Sequence, residues 1–134
     1  MADRVFFYGT LMTPFNRQGR RRLEPHLQFS GRGSIAAALF DLGIYPAAVP
    51  ASEGRVWGEV FEIVCARDFV LKALDEIEGY SPGAPERSLY TRRTTVVTQD
   101  DGGVADAWAY FYSAPLGRAE RIASGDYLEY LRMK

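Results

Sequence analysis

Apolar residues fall along this chain in short runs that are typical of β-strands. DRVFFY at residues 3–8 alternates between two faces, and RVWGEVFEIV at 55–64 is rich in β-branched and aromatic residues. LYTRRTTVV at 89–97 and VADAWAYFY at 104–112 flank a DDGG turn at 100–103. Two such runs around an Asp- and Gly-rich turn predict a β-hairpin.

Helical spacing dominates one segment of the chain. In ARDFVLKALDEIEG, residues 66–79, apolar residues recur every three or four positions, and Gly79 supplies a stop. Residues 13–25 contain Thr-Pro and then several arginines, which predicts a loop leading into a short helix. Residues 118–132 are typical of a terminal helix, with a break favoured at Gly125.

One region leaves its secondary structure open. QFSGRGSIAAALFDL, residues 28–42, fits a strand or a helix, since its small residues blur both periodicities. Pro46 and Pro50 follow it, and they predict an irregular connection before the next strand.

Size and charge set the class of protein. The chain has 134 residues, 47% of them hydrophobic and 25% charged, with a net charge of −1. This predicts one globular domain over residues 1–134 and gives no overall field that would attract nucleic acid or an anionic membrane. A single cysteine excludes an intrachain disulfide, and no apolar run is long enough to span a bilayer or to form a secretory signal. We therefore expect a cytoplasmic protein that binds neither nucleic acid nor membrane.

Several familiar chemistries lack the residues they need. GRGSIA at 31–36 matches a dinucleotide fingerprint, but close strand packing explains its glycines equally well. His26 and Cys65 are the only residues of their types, so a Cys–His pair would have to join these two. They cannot supply the ligands of a typical zinc site, and we expect no metal and no cofactor. A basic cluster is most simply a solvated face, with phosphate binding as the alternative; it consists of Arg17, Arg20, Arg21 and Arg22.

The predicted helix ends in acids, against the usual arrangement. Asp75, Glu76 and Glu78 crowd its last turn, where the helix macrodipole disfavours negative charge. Glu78 borders the predicted buried side, while Asp75 and Glu76 should point outward. A carboxyl group in that position should have a raised pKa, which suits a general acid or base near neutral pH. An ordinary solvated helix end remains the alternative.

Several segments occur in an order that resembles one known family. They are VFFYGTL at 5–11, LFDLGIYPAAV at 39–49, VWGEVFEI at 56–63, LDEIEGY at 74–80, LYTRRTTVV at 89–97 and ASGDY at 123–127. This pattern resembles the gamma-glutamylcyclotransferase-like superfamily, in particular its branch of small bacterial proteins, gamma-glutamylamine cyclotransferases and plant avirulence-induced proteins.

The resemblance implies a fold, an activity and a set of site residues. The fold is an α+β one, a compact mixed β-barrel with a few flanking helices. The activity is cyclisation of the gamma-glutamyl group of a small gamma-glutamyl amine or peptide to 5-oxoproline, with Glu78 as catalytic acid/base. The substrate loop maps onto Tyr8, Gly9, Thr10 and Leu11.

Two further tyrosines are secondary candidates for the pocket lining, Tyr90 at the start of one predicted strand and Tyr112 at the end of another. Packing with an exposed hydroxyl group is the alternative for each. A module of the same fold that binds a small ligand without chemistry is the alternative function. The enzymatic function requires Glu78 and the Gly9 loop to share one cavity.

Overall fold

A computed structural model describes residues 3–15, 17–43 and 45–134. These ranges leave out Met1, Ala2, Asn16 and Ile44. Asn16 and Ile44 belong to segments for which the sequence made a prediction. The strands are β1 Arg4–Phe7, β2 Leu27–Asp41, β3 Pro46–Ile63, β4 Tyr90–Gln99, β5 Val104–Tyr112 and β6 Glu120–Arg121. The helices are α1 Gln18–Arg21, α2 Arg67–Glu78 and α3 Tyr127–Arg132, with 3-10 turns at Thr13–Phe15, Glu24–His26 and Pro85–Arg87.

Strands β1 to β5 form a closed barrel. Their order is β3–β1–β5–β4–β2, and pairing between β2 and β3 closes the ring. The β1–β5 pair is parallel, with Val5 opposite Trp108, and the other pairs are antiparallel. The short β6 adds to β2 outside the ring. This confirms the α+β mixed barrel with flanking helices that the resemblance implied.

The ambiguous segment 28–42 is a strand, and the expected irregular connection after it was wrong. Pro46 and Pro50 both lie inside β3. Between them, the backbone N–H of Ala48 points away from β2 and donates to the hydroxyl group of Tyr8 at 3.3 Å. Residues two apart on a strand share this direction, so neither proline removes a hydrogen bond from the β2–β3 ladder.

Glycines allow close strand packing in the segment that matches the dinucleotide fingerprint. Residues 31–36 lie within β2, so the strand–turn–helix unit that the fingerprint needs is not formed. A Cβ atom on Gly33 would lie 2.7 Å from Cγ1 of Val97. One on Gly58 would overlap the carbonyl group of Phe7, which explains that glycine as a close approach of β3 to β1.

Helix α2 and the β4–β5 hairpin form as the sequence predicted. The helix spans Arg67–Glu78 and ends at Gly79 in the left-handed conformation, with φ of 69°. The terminal helix is shorter than expected, because it begins only after Gly125 with Asp126 as its N-cap. No helix among the residues in the three described ranges has the length and apolar content needed to cross a membrane.

Candidate active site

A cavity of about 260 Å³ opens where β1 ends and α2 ends. Strand β1 delivers the loop that follows it, residues 8–11 (the glycine loop), to one wall, and α2 delivers its last residues to the other. The lining residues that matter below are Tyr8, Gly9, Thr10, Leu11, Arg17, Tyr45, Pro46, Glu76, Glu78, Leu89, Tyr90 and Tyr110. The two halves of the site predicted from sequence, the glycine loop and Glu78, therefore share one cavity.

The glycine loop is held against the barrel at Tyr8 and Gly9. The buried hydroxyl group of Tyr8 donates to the carbonyl oxygen of Tyr110 at 2.6 Å. A Cβ atom on Gly9 would lie 2.8 Å from Cγ of Pro46, so the residue must be glycine to seat the loop there. Among the residues that the structure describes, no hydrogen bond occupies the backbone N–H groups of residues 9–11. These amides are available to a ligand.

A buried glutamate anchors the far end of this loop. Glu59 on β3 is only 8% exposed. Its Oε1 accepts hydrogen bonds from the backbone N–H of Thr13 at 2.7 Å and from the Thr13 hydroxyl group at 3.0 Å. Two charge-assisted bonds fix where the chain turns after the glycine loop. Glu59 is not predictable from the sequence, because nothing in its strand pattern indicates a partner 46 residues away.

Glu78 is the last residue of α2 and faces the cavity. Burial raises the pKa of its carboxyl group from 4.5 to about 7, and the positive charge of Arg17 opposes that rise. The predicted direction is confirmed, but the dominant cause is loss of solvent and not repulsion from the neighbouring acids. A carboxyl group with this pKa exchanges protons readily near neutral pH.

Three tyrosines surround the carboxyl group. Burial raises the pKa of each hydroxyl group, and the charge of Glu78 adds to the rise for Tyr8, Tyr90 and Tyr110. Their protons are already engaged: the Tyr90 hydroxyl group donates to the carbonyl oxygen of Pro46 at 2.9 Å. The rings thus form a rigid, low-dielectric wall around Glu78.

Tyr112 lies one layer away from the cavity. It sits opposite Tyr90 in the β4–β5 register, and the two rings pack edge to face with centroids 5.3 Å apart. In the part of the chain that the structure describes, Tyr112 is absent from the cavity lining. It contacts Tyr90, which does line the cavity, and a direct role of Tyr112 in substrate binding stays a prediction.

Asp75 also departs from expectation, since it points inward. It is 6% exposed, and its carboxylate accepts hydrogen bonds from Arg92 at 2.8 and 3.3 Å. The Tyr110 hydroxyl group donates to the same carboxylate at 2.6 Å. The inward turn is possible because β4 and β5 supply this cation and this donor. The network ties α2 to the barrel directly behind the cavity.

The basic cluster is not a uniform solvated face. Arg17 lines the cavity, and Arg20 is 3% exposed with its guanidinium group 4.4 Å from the ring centre of Phe61. Only Arg21 and Arg22 are exposed. A buried arginine stacked on an aromatic ring is a packing element, which removes Arg20 from any phosphate-binding surface.

The single histidine and the single cysteine do meet, but elsewhere. Nδ1 of His26 lies 3.2 Å from Sγ of Cys65, which is exposed. Neither residue lines the cavity that holds Glu78. Within ranges 3–15, 17–43 and 45–134, no three His, Cys, Asp or Glu side chains cluster closely enough to hold a metal ion.

Together these features define a class of small closed-barrel proteins in which a glycine loop and a carboxylate at a helix end share a cavity. The family model for gamma-glutamyl cyclotransferase, AIG2-like proteins matches residues 5–129. The chain belongs to this family.

Named relatives agree with that assignment. The gamma-glutamylcyclotransferase family protein YtfP of Escherichia coli (strain K12) is 34% identical over 127 residues, which cover 94% of this chain and 96% of YtfP. The solution structure of E. coli YtfP superposes with a TM-score of 0.66 at 32% identity, over 98% of this chain and 99% of that one.

A larger relative contains the same fold. The crystal structure of YkqA from Bacillus subtilis matches 99% of this chain with a TM-score of 0.70 at 25% identity. The chain spans 42% of the length of YkqA.

Proposed function

We propose that this protein cyclises the gamma-glutamyl group of a gamma-glutamyl amine or peptide to 5-oxoproline and releases the amine, with Glu78 as general acid and base. The observation that carries the proposal is the shared cavity of Glu78 and the glycine loop. It is supported by membership of the gamma-glutamyl cyclotransferase, AIG2-like family and by the family name that YtfP bears.

The reaction needs orientation more than it needs a nucleophile from the protein. The α-amine of the substrate attacks its own γ-carbonyl carbon, a C–N bond forms, and a five-membered ring closes. The C–N bond to the leaving amine then breaks. Because the attack is intramolecular, holding the glutamyl chain in a folded conformation supplies much of the acceleration. A cavity walled by buried tyrosines suits this task.

One carboxyl group can carry both protons of the reaction. The α-ammonium group loses one proton to solvent to become the attacking amine. As the ring closes, its nitrogen must lose a second proton, and the leaving amine must gain one as it departs. With a pKa of about 7, Glu78 is populated in both forms at neutral pH. It acts first as the base and then as the acid, and returns to its starting state.

The glycine loop supplies the electrostatic half of the site. The substrate has an α-carboxylate, and its γ-carbonyl oxygen gains negative charge as the ring closes. Residues 9–11 line the same cavity, and their backbone N–H groups have no hydrogen-bond partner among the described residues. Backbone donors at about 2.7–3.1 Å from such an oxygen lower the barrier without reorganising.

The test is a panel of gamma-glutamyl donors with 5-oxoproline measured by mass spectrometry. Glutathione, gamma-glutamyl amino acids and gamma-glutamyl-ε-lysine cover the main types of leaving group. We expect release from at least one donor, and a loss of about 100-fold or more in Glu78→Gln with binding retained. The exposed Glu62→Gln controls for loss of one carboxylate. Saturable binding in calorimetry with no product from any donor would instead favour a ligand-binding module.

A further inference from the structure

Arg17 is a cation at the cavity wall, and among the described residues one hydrogen bond leaves most of its N–H donors without a partner. Its Nη1 donates to the hydroxyl group of Thr10 at 2.9 Å, and its guanidinium carbon lies 6.0 Å from the ring centre of Tyr45. Among the described residues, no carboxylate lies within ion-pair distance of it. A guanidinium group carries five N–H donors in a planar fork that fits a carboxylate with two parallel hydrogen bonds.

The acids that share the cavity do not neutralise this cation. The charge of Arg17 acts on Glu78 and lowers its pKa, but burial outweighs this effect and keeps the pKa raised, and the two side chains form no ion pair. Glu76 also lines the cavity, but its side chain is exposed to solvent. The guanidinium group is therefore bonded to Thr10 and has no carboxylate partner in the part of the chain that the structure describes.

The position of Arg17 shows which part of a substrate it would meet. The glutamyl group has to reach Glu78 and the inner amides of the glycine loop, beside the buried Tyr8. The leaving amine must then extend toward the mouth of the cavity, where Tyr45 is 45% exposed and Leu89 is 57% exposed. Arg17 is partly exposed and lies beside Tyr45, at that mouth.

We propose that Arg17 binds a carboxylate on the leaving group and so selects donors whose leaving amine is an amino acid or peptide over donors whose leaving amine lacks a carboxylate. This rests on the proposed function. The α-carboxylate of the glutamyl group is taken by the backbone amides, which leaves the guanidinium fork for the second carboxylate. Arginine is suited to this role because its planar guanidinium group can donate two parallel hydrogen bonds to one carboxylate.

The test compares two donors that differ only in that carboxylate, gamma-glutamyl-alanine and gamma-glutamyl-alaninamide. We expect the wild type to prefer the acid by about 10- to 100-fold in kcat/KM, the usual range for a hydrogen-bonded charge. Arg17→Gln should reduce that preference to about threefold or less, mainly by slowing the acid donor. Arg17→Lys keeps the charge without the fork and should retain part of it.

Arg21→Gln is the matched control, since it removes the same charge from an exposed position in the last turn of α1, the helix whose N-cap is Arg17. It should keep the full preference for the acid donor. The proposal is overturned if Arg17→Gln slows both donors equally, which would assign Arg17 to the glutamyl end or to loop positioning. It is also overturned if the preference is unchanged.

A binding measurement separates this inference from the proposed function. If the wild type released no 5-oxoproline from any donor, the catalytic proposal would fail by itself. Calorimetry can then measure the same preference as the ratio of the Kd values of the two donors. It is done with Glu78→Gln and with the double variant that also carries Arg17→Gln. Equal affinities for acid and amide in Glu78→Gln would refute the role of Arg17.

Discussion

Replacing Glu78 with glutamine should stabilise the fold at alkaline pH and change its stability little in acid. The pKa of this carboxyl group is raised from 4.5 to about 7. Between those values the folded protein keeps a proton that the unfolded chain has released, so stability falls as pH rises through this window and is constant above it. At about 1.4 kcal/mol for each pH unit, the loss is at most about 3 kcal/mol.

The assay is equilibrium unfolding in urea at about pH 5 and about pH 8.5 for the wild type and Glu78→Gln. The glutamine side chain is nearly isosteric with glutamate and cannot ionise. The variant therefore does not lose stability through ionisation of residue 78 at any pH. The difference in unfolding free energy between the two proteins should move by about 2–3 kcal/mol in favour of the variant between the two conditions.

Loss of one negative charge must be separated from loss of this particular carboxylate. Glu62→Gln, at an exposed position on β3, provides that correction. If the unfolding free energies of Glu78→Gln and Glu62→Gln changed in parallel with pH, the carboxyl group of Glu78 would titrate normally in the folded protein. It would then be unsuited to move protons near neutral pH, and the catalytic assignment would lose its physical basis.

Three further substitutions test the glycine loop, the Asp75–Arg92 pair and a cysteine outside the cavity. Gly9→Ala should displace the glycine loop from Pro46, which lies 2.8 Å from the added methyl group, and should cost about 1–3 kcal/mol in urea unfolding together with most donor affinity in calorimetry. Unchanged affinity would contradict the proposed loop role. Asp75→Asn should leave Arg92 short of its charged partner and destabilise the fold by about 3 kcal/mol, whereas a change under about 0.5 kcal/mol would mean that the pair contributes little. Cys65→Ser should leave kcat/KM within about twofold of wild type, and a large loss would place the thiol in the reaction after all.

Features that depend on short stretches of chain were predictable. Helix α2 ends at Gly79 because a left-handed residue closes it, and the hairpin turns at 100–103 because its residues favour that geometry. The raised pKa of Glu78 was also predicted in direction from its place at the end of an amphipathic helix. Each of these signals lies within a few residues of the structure that it predicts.

Other features required partners that are distant in sequence. Asp75 points inward only because Arg92 and Tyr110 arrive from β4 and β5 to meet its charge. Segment 28–42 became a strand because β3 pairs along nearly its whole length, which the small residues of β2 did not indicate. For Asp75 the local pattern predicted the wrong direction, and for segment 28–42 it was compatible with two outcomes. Tertiary packing decided both.

By itself, the sequence determined the elements of the site, a glycine at the end of a first strand and a glutamate at the end of a helix. It also indicated the family through the order of its motifs. Only the tertiary structure decided that Glu78 and the glycine loop share one cavity, and that Arg17 joins them while Arg20 is buried on Phe61. The physical reason is that side-chain periodicity indicates which face of a helix or strand is apolar. Which residues pack against that face depends on how the barrel closes.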